Sequence, residues 1–486
     1  MIALLRSIIR GLSAAFFVLM LSCSVGPDYQ APKSVMPAAW LEGWNLGNVG
    51  IDARPAELAR WWTEFNDPLL NSLIERAVKS NLDIFIAEAR VREARASLVL
   101  SEAGEWPTVD VSGSYSRNRS SANAVGSRAQ GAVAAPRSND NLEQDLYRTG
   151  FDAGWEMDVF GGTRRSVEVA RANVEAAVED RRDVLVTLLG DVAKNYIDLR
   201  GRQRQLAVTQ ANLQAQQEIL RLTRIRFDAG LASDLETAQA EGVAQTTAAQ
   251  IPTSESAIKQ IAYRLDLLLG VQPGATWNEL AAQAPIPALP PQAHVGLPAE
   301  LLRRRPDIRR AERQLAAATA QIGVATADLY PKFFLTGVFG LQSVSASDWF
   351  SGPSRFWSIG PTIIWPVFDA GKIRANIEIR NAQQEQTLKL YEKSVLSALG
   401  DVESALVNYS KEQVRYRSLL AAVEANRRAL AISNDLYAQG LIAFLNVLDA
   451  ERTLYTSEND LAQSEANMAS NLVALYKALG GGWNTN

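Results

Sequence analysis

The sequence predicts an α+β membrane protein. Its protomer is internally duplicated, with four transmembrane β-strands and long coiled-coil α-helical hairpins. Three copies are expected to close a 12-stranded β-barrel continued by an α-helical barrel. Three observations carry this expectation. An apolar residue returns at every seventh position from Val178 through Val192 and Leu206 to Phe227, and the same stripe recurs from Leu388 through Val402 and Tyr416 to Tyr437. Segments of about ten residues alternate apolar and polar side chains, a pair of them ahead of each stripe. The chain also opens on an export signal that ends at its single cysteine.

Arg6 and Arg10 precede an apolar run from Leu12 to Leu21, and small Ser22 precedes Cys23. A basic start, a short apolar core and a small residue before the cut describe a secretory signal. The run falls short of the ~20 apolar residues that span a bilayer as a helix. Met20-Leu21-Ser22-Cys23 is similar to a bacterial lipobox, with Met20 where leucine is commoner. Residues 1–22 are therefore read as a lipoprotein signal peptide. Cys23 is read as the acylated residue, and its covalent lipid is the one attached group expected. Ser24, not aspartate, follows, so the expected destination is the outer membrane. Residues 23–66, with Pro27, Pro32 and Pro37, form an extended lipid-anchored segment.

A first repeat covers 67–270. Asp67 and Pro68 suit an N-cap and a first helical residue, and Leu69, Leu73, Ala77, Leu82 and Ile86 mark an amphipathic helix up to about Gly104. Strands follow at about 107–117 and 147–156, where Val109, Val111 and Tyr115, then Phe151, Ala153 and Trp155, alternate with polar or small residues. The helix 163–229 would be roughly 100 Å long at 1.5 Å per residue, more than one globular core can cover. Gly230 suits the left-handed cap that ends it. Ser233 or Asp234 can cap the return helix, 233–269, which Pro252 should kink. A proline-rich linker, 271–297, holds the only histidine, His294, expected as a solvated loop residue. The second repeat, 298–480, has a helix to about Leu329, strands at about 332–342 and 356–365, and helices 372–439 and 443–479 that turn at Gly440; a tail, 481–486, follows. Trp155, Gly161, Gly230 and Leu235 match Trp365, Gly371, Gly440 and Leu445 without a gap. Such self-similarity is the signature of duplication.

Four strands cannot close a barrel, and an open edge in lipid leaves backbone groups unpaired at several kcal/mol each. Three chains supply twelve strands, an even number inside the known range. Aromatics at the strand ends, among them Trp106, Tyr147, Trp155, Trp357 and Trp365, fit interfacial girdles. Three residues beyond the stripe of the first long helix stand Asn195, Arg202, Thr209, Gln216 and Thr223. A dry two-helix coiled coil would want apolar residues there, so a ring of helices with a face toward water is expected.

Several function classes are excluded. A net charge of −4 argues against nucleic acid as a partner. One cysteine and one histidine leave no intrachain disulfide, no metal site and no nucleophilic constellation, so no enzyme activity and no metal are expected.

Across the mature chain the sequence resembles the TolC-like outer-membrane efflux proteins, in the lipoprotein branch typified by NodT and OprM. The resemblance rests on Cys23-Ser24-Val25-Gly26-Pro27-Asp28-Tyr29, Trp155-Glu156-Met157-Asp158-Val159-Phe160-Gly161, Gln250-Ile251-Pro252, Arg304-Arg305-Pro306-Asp307-Ile308, Trp365-Pro366-Val367-Phe368-Asp369-Ala370-Gly371 and Leu479-Gly480-Gly481-Gly482-Trp483. It implies a homotrimer in outer-membrane lipid, with its helical barrel in the periplasm. It also implies coupling to a periplasmic adaptor (membrane fusion) protein and an inner-membrane RND-type transporter, and passive conduction of small toxic compounds. By position, Leu445 and Asp449 match the family's periplasmic gate, an apolar ring and an acidic ring, next to the hairpin-tip turns at Gly230 and Gly440. Asn446 stands where some relatives have a second aspartate, and Ile442 replaces an arginine of a gate ion pair. The competing reading is the outer-membrane duct of a type I protein secretion system, which shares the architecture. A periplasmic adaptor would lack the four strands.

Overall fold

A computed structural model describes residues 24–33, 36–41, 49–50, 58–119, 121, 143–290, 293–294 and 296–483. The signal peptide and Cys23 lie outside the described residues.

Helix α1, Pro68–Ser80, starts where the sequence places it. Asp67 accepts hydrogen bonds from the amides of Leu69 and Leu70 at 2.9 and 3.0 Å, a cap that stabilises by about 1 kcal/mol. The single helix expected up to Gly104 is in fact two, because Asn81 adopts an extended backbone between α1 and α2, Leu82–Ala103. The Asn81 side chain caps α2 through the amides of Asp83 and Ile84, and it donates to the Leu268 carbonyl at 2.9 Å. The second repeat breaks at the equivalent place. A short turn over Leu301–Arg304 ends at extended Arg305, and the longer helix of that repeat begins only at Pro306. A residue before proline is driven out of the helical region.

In chain order the other long elements are β1 (Thr108–Arg119), β2 (Glu143–Met157), α3 (Gly162–Asp228), α4 (Asp234–Leu268), α5 (Pro306–Ala327, the helix just introduced), β3 (Lys332–Ser343), β4 (Arg355–Ile364), α6 (Lys372–Ala438) and α7 (Phe444–Ala478). Helices α3 and α6 are each 67 residues long, and α4 and α7 each 35. Helix α4 runs unbroken through Pro252. His294, expected in a loop, lies in a two-residue strand, Ala293–His294, that pairs in parallel with Val49–Gly50. Backbone pairing to a distant segment cannot be read from the local composition of the linker.

The chain divides into two compact units, each built from both repeats. One comprises Glu93–Val174 and Arg313–Leu388 with the described residues up to Ala31; it holds the sheet, in the order β1-β2-β3-β4, antiparallel throughout. The other comprises the described parts of Pro32–Arg92, Glu175–Glu312 and Lys389–Asn486. Its core is centred on Trp61, Phe65, Leu70, Tyr196 and Tyr476, with Trp61 stacked on Tyr476 at 5.5 Å.

The heptad stripe is buried or half-buried along both long helices except at Phe227. The polar positions beside it depart from expectation, for Thr209, Gln216 and Thr223 are buried, not turned to water. Thr209 and Thr223 donate to the carbonyls four residues back, at 3.0 and 2.9 Å. With its hydroxyl satisfied by its own helix, a threonine packs much as a valine does.

Candidate functional site

The sheet sorts its side chains by face. The register sets Val111, Phe151, Phe339 and Trp357 in one row across all four strands, and Gly337 beside Ile359. These side chains share one face. Val111, Phe339, Trp357 and Ile359 are 73, 55, 74 and 67% exposed. The other face is mainly polar, carrying Asp110, Ser112, Arg148, Asp152, Thr336 and Ser358 with Phe334, Val338 and Phe356 among them. Strands alternating apolar outward and polar inward form the wall of a membrane pore.

Aromatic side chains mark both margins of the apolar band. At the end next to the helices, the Trp155 indole donates to the Glu105 carbonyl at 3.0 Å and the Trp365 indole to the Leu329 carbonyl at 3.1 Å. The duplicated residues thus make duplicated bonds, each to the turn before its own hairpin. At the far end Tyr115, Tyr147, Trp349 and Phe350 form a chain of rings with centroids 4.8 to 5.5 Å apart. Trp349 and Phe350 sit in a connection without periodicity, so no sequence pattern announces them. Beyond this belt the outward row turns to charge, with Arg117 paired to Glu143 at 2.8 Å.

The segment after Cys23 is fastened near the Trp155 margin, where β2 leads into α3. The Val25 amide donates to the Phe160 carbonyl at 3.1 Å, and Arg165 donates to the Val25 carbonyl and to Asp28 at 3.2 and 2.7 Å. Gly26, at φ +90°, lies so close to Gly323 that a Cβ there would fall 2.4 Å from the Gly323 Cα. Ser24 packs against Gly161, where β2 gives way to α3.

The two hairpin tips repeat one geometry. Gly230 and Gly440 both have φ +73°, and in each tip the following leucine amide reaches five residues back, Leu231 to Arg226 at 2.8 Å and Leu441 to Leu436 at 2.9 Å. Such a C-terminal turn needs a left-handed residue, which glycine supplies without strain. Ser233 caps α4 by accepting from the Glu236 amide. Leu445 stands 63% exposed at the start of α7, beside buried Phe444, whose ring meets Tyr437 at 5.3 Å. Asp449 is also exposed, but it is held by Arg452, Nη2 to Oδ1, at 2.7 Å. Sequence reasoning passed over Arg452, although a cation three residues after an acid on a helix is a recognisable pairing.

An exposed pair of this kind contributes under about 1 kcal/mol, so its interest is the field it sets at the tip. If three copies of Asp449 and Arg452 face a pore mouth, their charges largely offset. Asp449→Ala is expected to lower cation preference and Arg452→Ala to raise it, read as reversal potentials in planar bilayers. Equal selectivity in the two variants would remove both residues from the pore mouth.

A sheet with an apolar outer and a polar inner face, joined to paired helical hairpins, defines the subunit of a membrane channel. The family model for outer membrane efflux proteins matches residues 73–271 and 297–481, and the chain belongs to that family. It is 33% identical over 475 residues to nodulation protein T of Rhizobium leguminosarum bv. trifolii, covering 96% of this chain and 97% of the relative. It is 33% identical over 481 residues to the toluene efflux pump outer membrane protein TtgI of Pseudomonas putida, covering 97% of this chain and 98% of the relative. The outer-membrane channel OprN superposes with a TM-score of 0.88 at 35% identity, covering 95% of this chain and 100% of that one. The protein is an outer-membrane efflux channel that extends into the periplasm. It acts as a trimer, closing the β-barrel, with a periplasmic adaptor and an inner-membrane transporter.

Proposed function

We propose that this channel is the passive exit duct for small, largely apolar toxic compounds delivered by its pump, and that it catalyses no reaction. The observation that carries the reading is the segregated sheet, whose polar face can line a water-filled bore while the apolar face meets lipid. The cargo class is suggested by relatives named for toluene and solvent efflux. In this reading Leu445 and Asp449 form the periplasmic gate, Gly230 and Gly440 hold the tips in shape, and no metal or cofactor takes part. Deletion of the gene should sensitise cells to solvents, dyes and lipophilic drugs, and the intact gene should restore resistance. Unchanged sensitivity across such a panel would refute the cargo class.

Cys23 is, in the same proposal, the acylated N-terminus. The fastened segment from Ser24 to Asp28 would set its lipid beside the Trp155 and Trp365 margin of the wall. At about 0.8 kcal/mol per buried CH₂, two or more acyl chains anchor stably. Cys23→Ala is expected to abolish incorporation of labelled palmitate and to leave an uncleaved signal peptide on the chain, seen by mass spectrometry. Normal processing of this variant would refute the lipoprotein reading.

A further inference from the structure

Glu241 and Glu451 occupy matched positions in the two repeats, yet their surroundings are opposite. Glu241 is exposed and paired with Arg224 at 3.1 Å. Glu451 is 3% exposed, and neither carboxylate oxygen has a geometrically sound hydrogen bond. It lies on α7 two residues past Asp449 and beside Gln216 of α3, one of the buried polar residues on that helix with Thr209 and Thr223. Beside it a cavity of about 660 Å³ separates α3 from α6 and α7.

The charged groups on the surrounding helices make no ion pair with Glu451. From α3, Arg226 also lines the cavity, with its guanidinium over the Tyr437 ring at 4.7 Å and its Nε buried without a partner, and Glu218 is bonded to Arg221. From α4, Glu236 accepts from the Tyr437 hydroxyl at 3.0 Å and Glu241 is held by Arg224. From α6, Arg427 holds Glu458 at 2.6 Å. On α7 itself, Asp449 is held by Arg452. Burial therefore dominates at Glu451 and pushes its carboxyl up from 4.5 to about 7, with Gln216 the one neighbour acting the other way. The Gln216 carbonyl oxygen is itself buried without a partner, so a protonated Glu451 beside it has an acceptor for its proton.

We propose that Glu451 is a proton-operated latch of the hairpin tip: protonated, it lets α7 close dry against α3, and ionised, it loosens the segment that carries Leu445 and Asp449. The mechanism follows from the cost of a charge taken out of water. Ionisation leaves two choices, an unpaired carboxylate in a dry seam or a seam opened to water through the adjoining cavity. A carboxyl raised by packing favours the packed state at acid pH. That preference is lost as pH rises from about 4.5 to about 7, and the loss levels off above 7. At tenfold per pH unit, the ratio of packed to loosened tip falls by up to roughly 300-fold per protomer.

The latch rests on reading the tip as the gate, and two measurements on the purified trimer separate these claims. The first is resting conductance in planar bilayers between pH 5 and 8. It is expected to rise up to pH 7 and then level off, while Glu451→Gln stays at the low, acid value throughout. Glu451→Met serves the same purpose should the glutamine variant fail to assemble. The second is hydrogen exchange over residues 444–458, corrected for the intrinsic pH dependence of exchange. Faster exchange at pH 7 than at pH 5 in the wild type, absent in Glu451→Gln, supports the latch even where conductance is flat, and that combination refutes the gate. A Glu451→Gln variant that follows the wild-type pH profile in exchange refutes the latch.

Discussion

Leu445→Ala is expected to raise the resting conductance of the channel at least about tenfold, a barrier lowered by about 1.4 kcal/mol. Leu445 is exposed although Phe444 beside it, the first residue of α7, is 2% exposed. An apolar side chain held out from a packed tip contributes little to folding, so its truncation should leave assembly intact. On the proposed gate its effect belongs to the bore, where a ring of leucines would hold water off and a ring of alanines would admit it. Phe444 provides the contrast. It is packed with Val447 and Ala240 and against Tyr437, and a buried phenylalanine cut to alanine costs about 3–5 kcal/mol. Phe444→Ala should therefore lower the thermal stability of the trimer, whereas Leu445→Ala should not. Cells carrying Leu445→Ala should also become more sensitive to antibiotics added from outside. A wild-type conductance in Leu445→Ala would move the constriction elsewhere.

The duplication, the four strands and the long hairpins were legible because each rests on a period, and a period survives whatever packs against it. The features that escaped depend on partners distant in sequence. Asn81 interrupts a helix whose apolar pattern continues across it, and what holds the break is its bond to the Leu268 carbonyl, 187 residues away. Arg305 is different, since Pro306 follows it and the break could have been read locally. Thr209, Gln216 and Thr223 misled because polarity was equated with exposure, while a threonine can satisfy itself on its own helix.

At the tip, Gly230 and Gly440 were legible from backbone chemistry alone. The reading of Leu445 and Asp449 as a gate rests on family position and not on any pattern in the residues themselves. Nothing in Ala240-Glu241 against Ala450-Glu451 tells which glutamate meets arginine and which is buried. Duplicated sequence dictates duplicated local geometry, but the two copies pack against different neighbours, and titratable side chains register that difference most strongly.

The faces of the sheet support the sharpest remaining test. Ile359 pairs with Gly337 on the apolar face, and Ser358 pairs with Val338 on the other. Both lie near the middle of β4, so they share depth and differ in direction. An arginine on the lipid side near the bilayer midplane costs about 2–4 kcal/mol, and a trimer carries that cost at each of its subunits. Ile359→Arg is therefore expected to prevent insertion, leaving no trimer on unheated gels of outer-membrane fractions. Ser358→Arg places the same charge in the bore, where water solvates it; the trimer should form, with cation preference reduced in bilayer recordings. Equal assembly of the two variants would show that direction does not matter at this depth, and the assignment of lipid and bore faces would then fail.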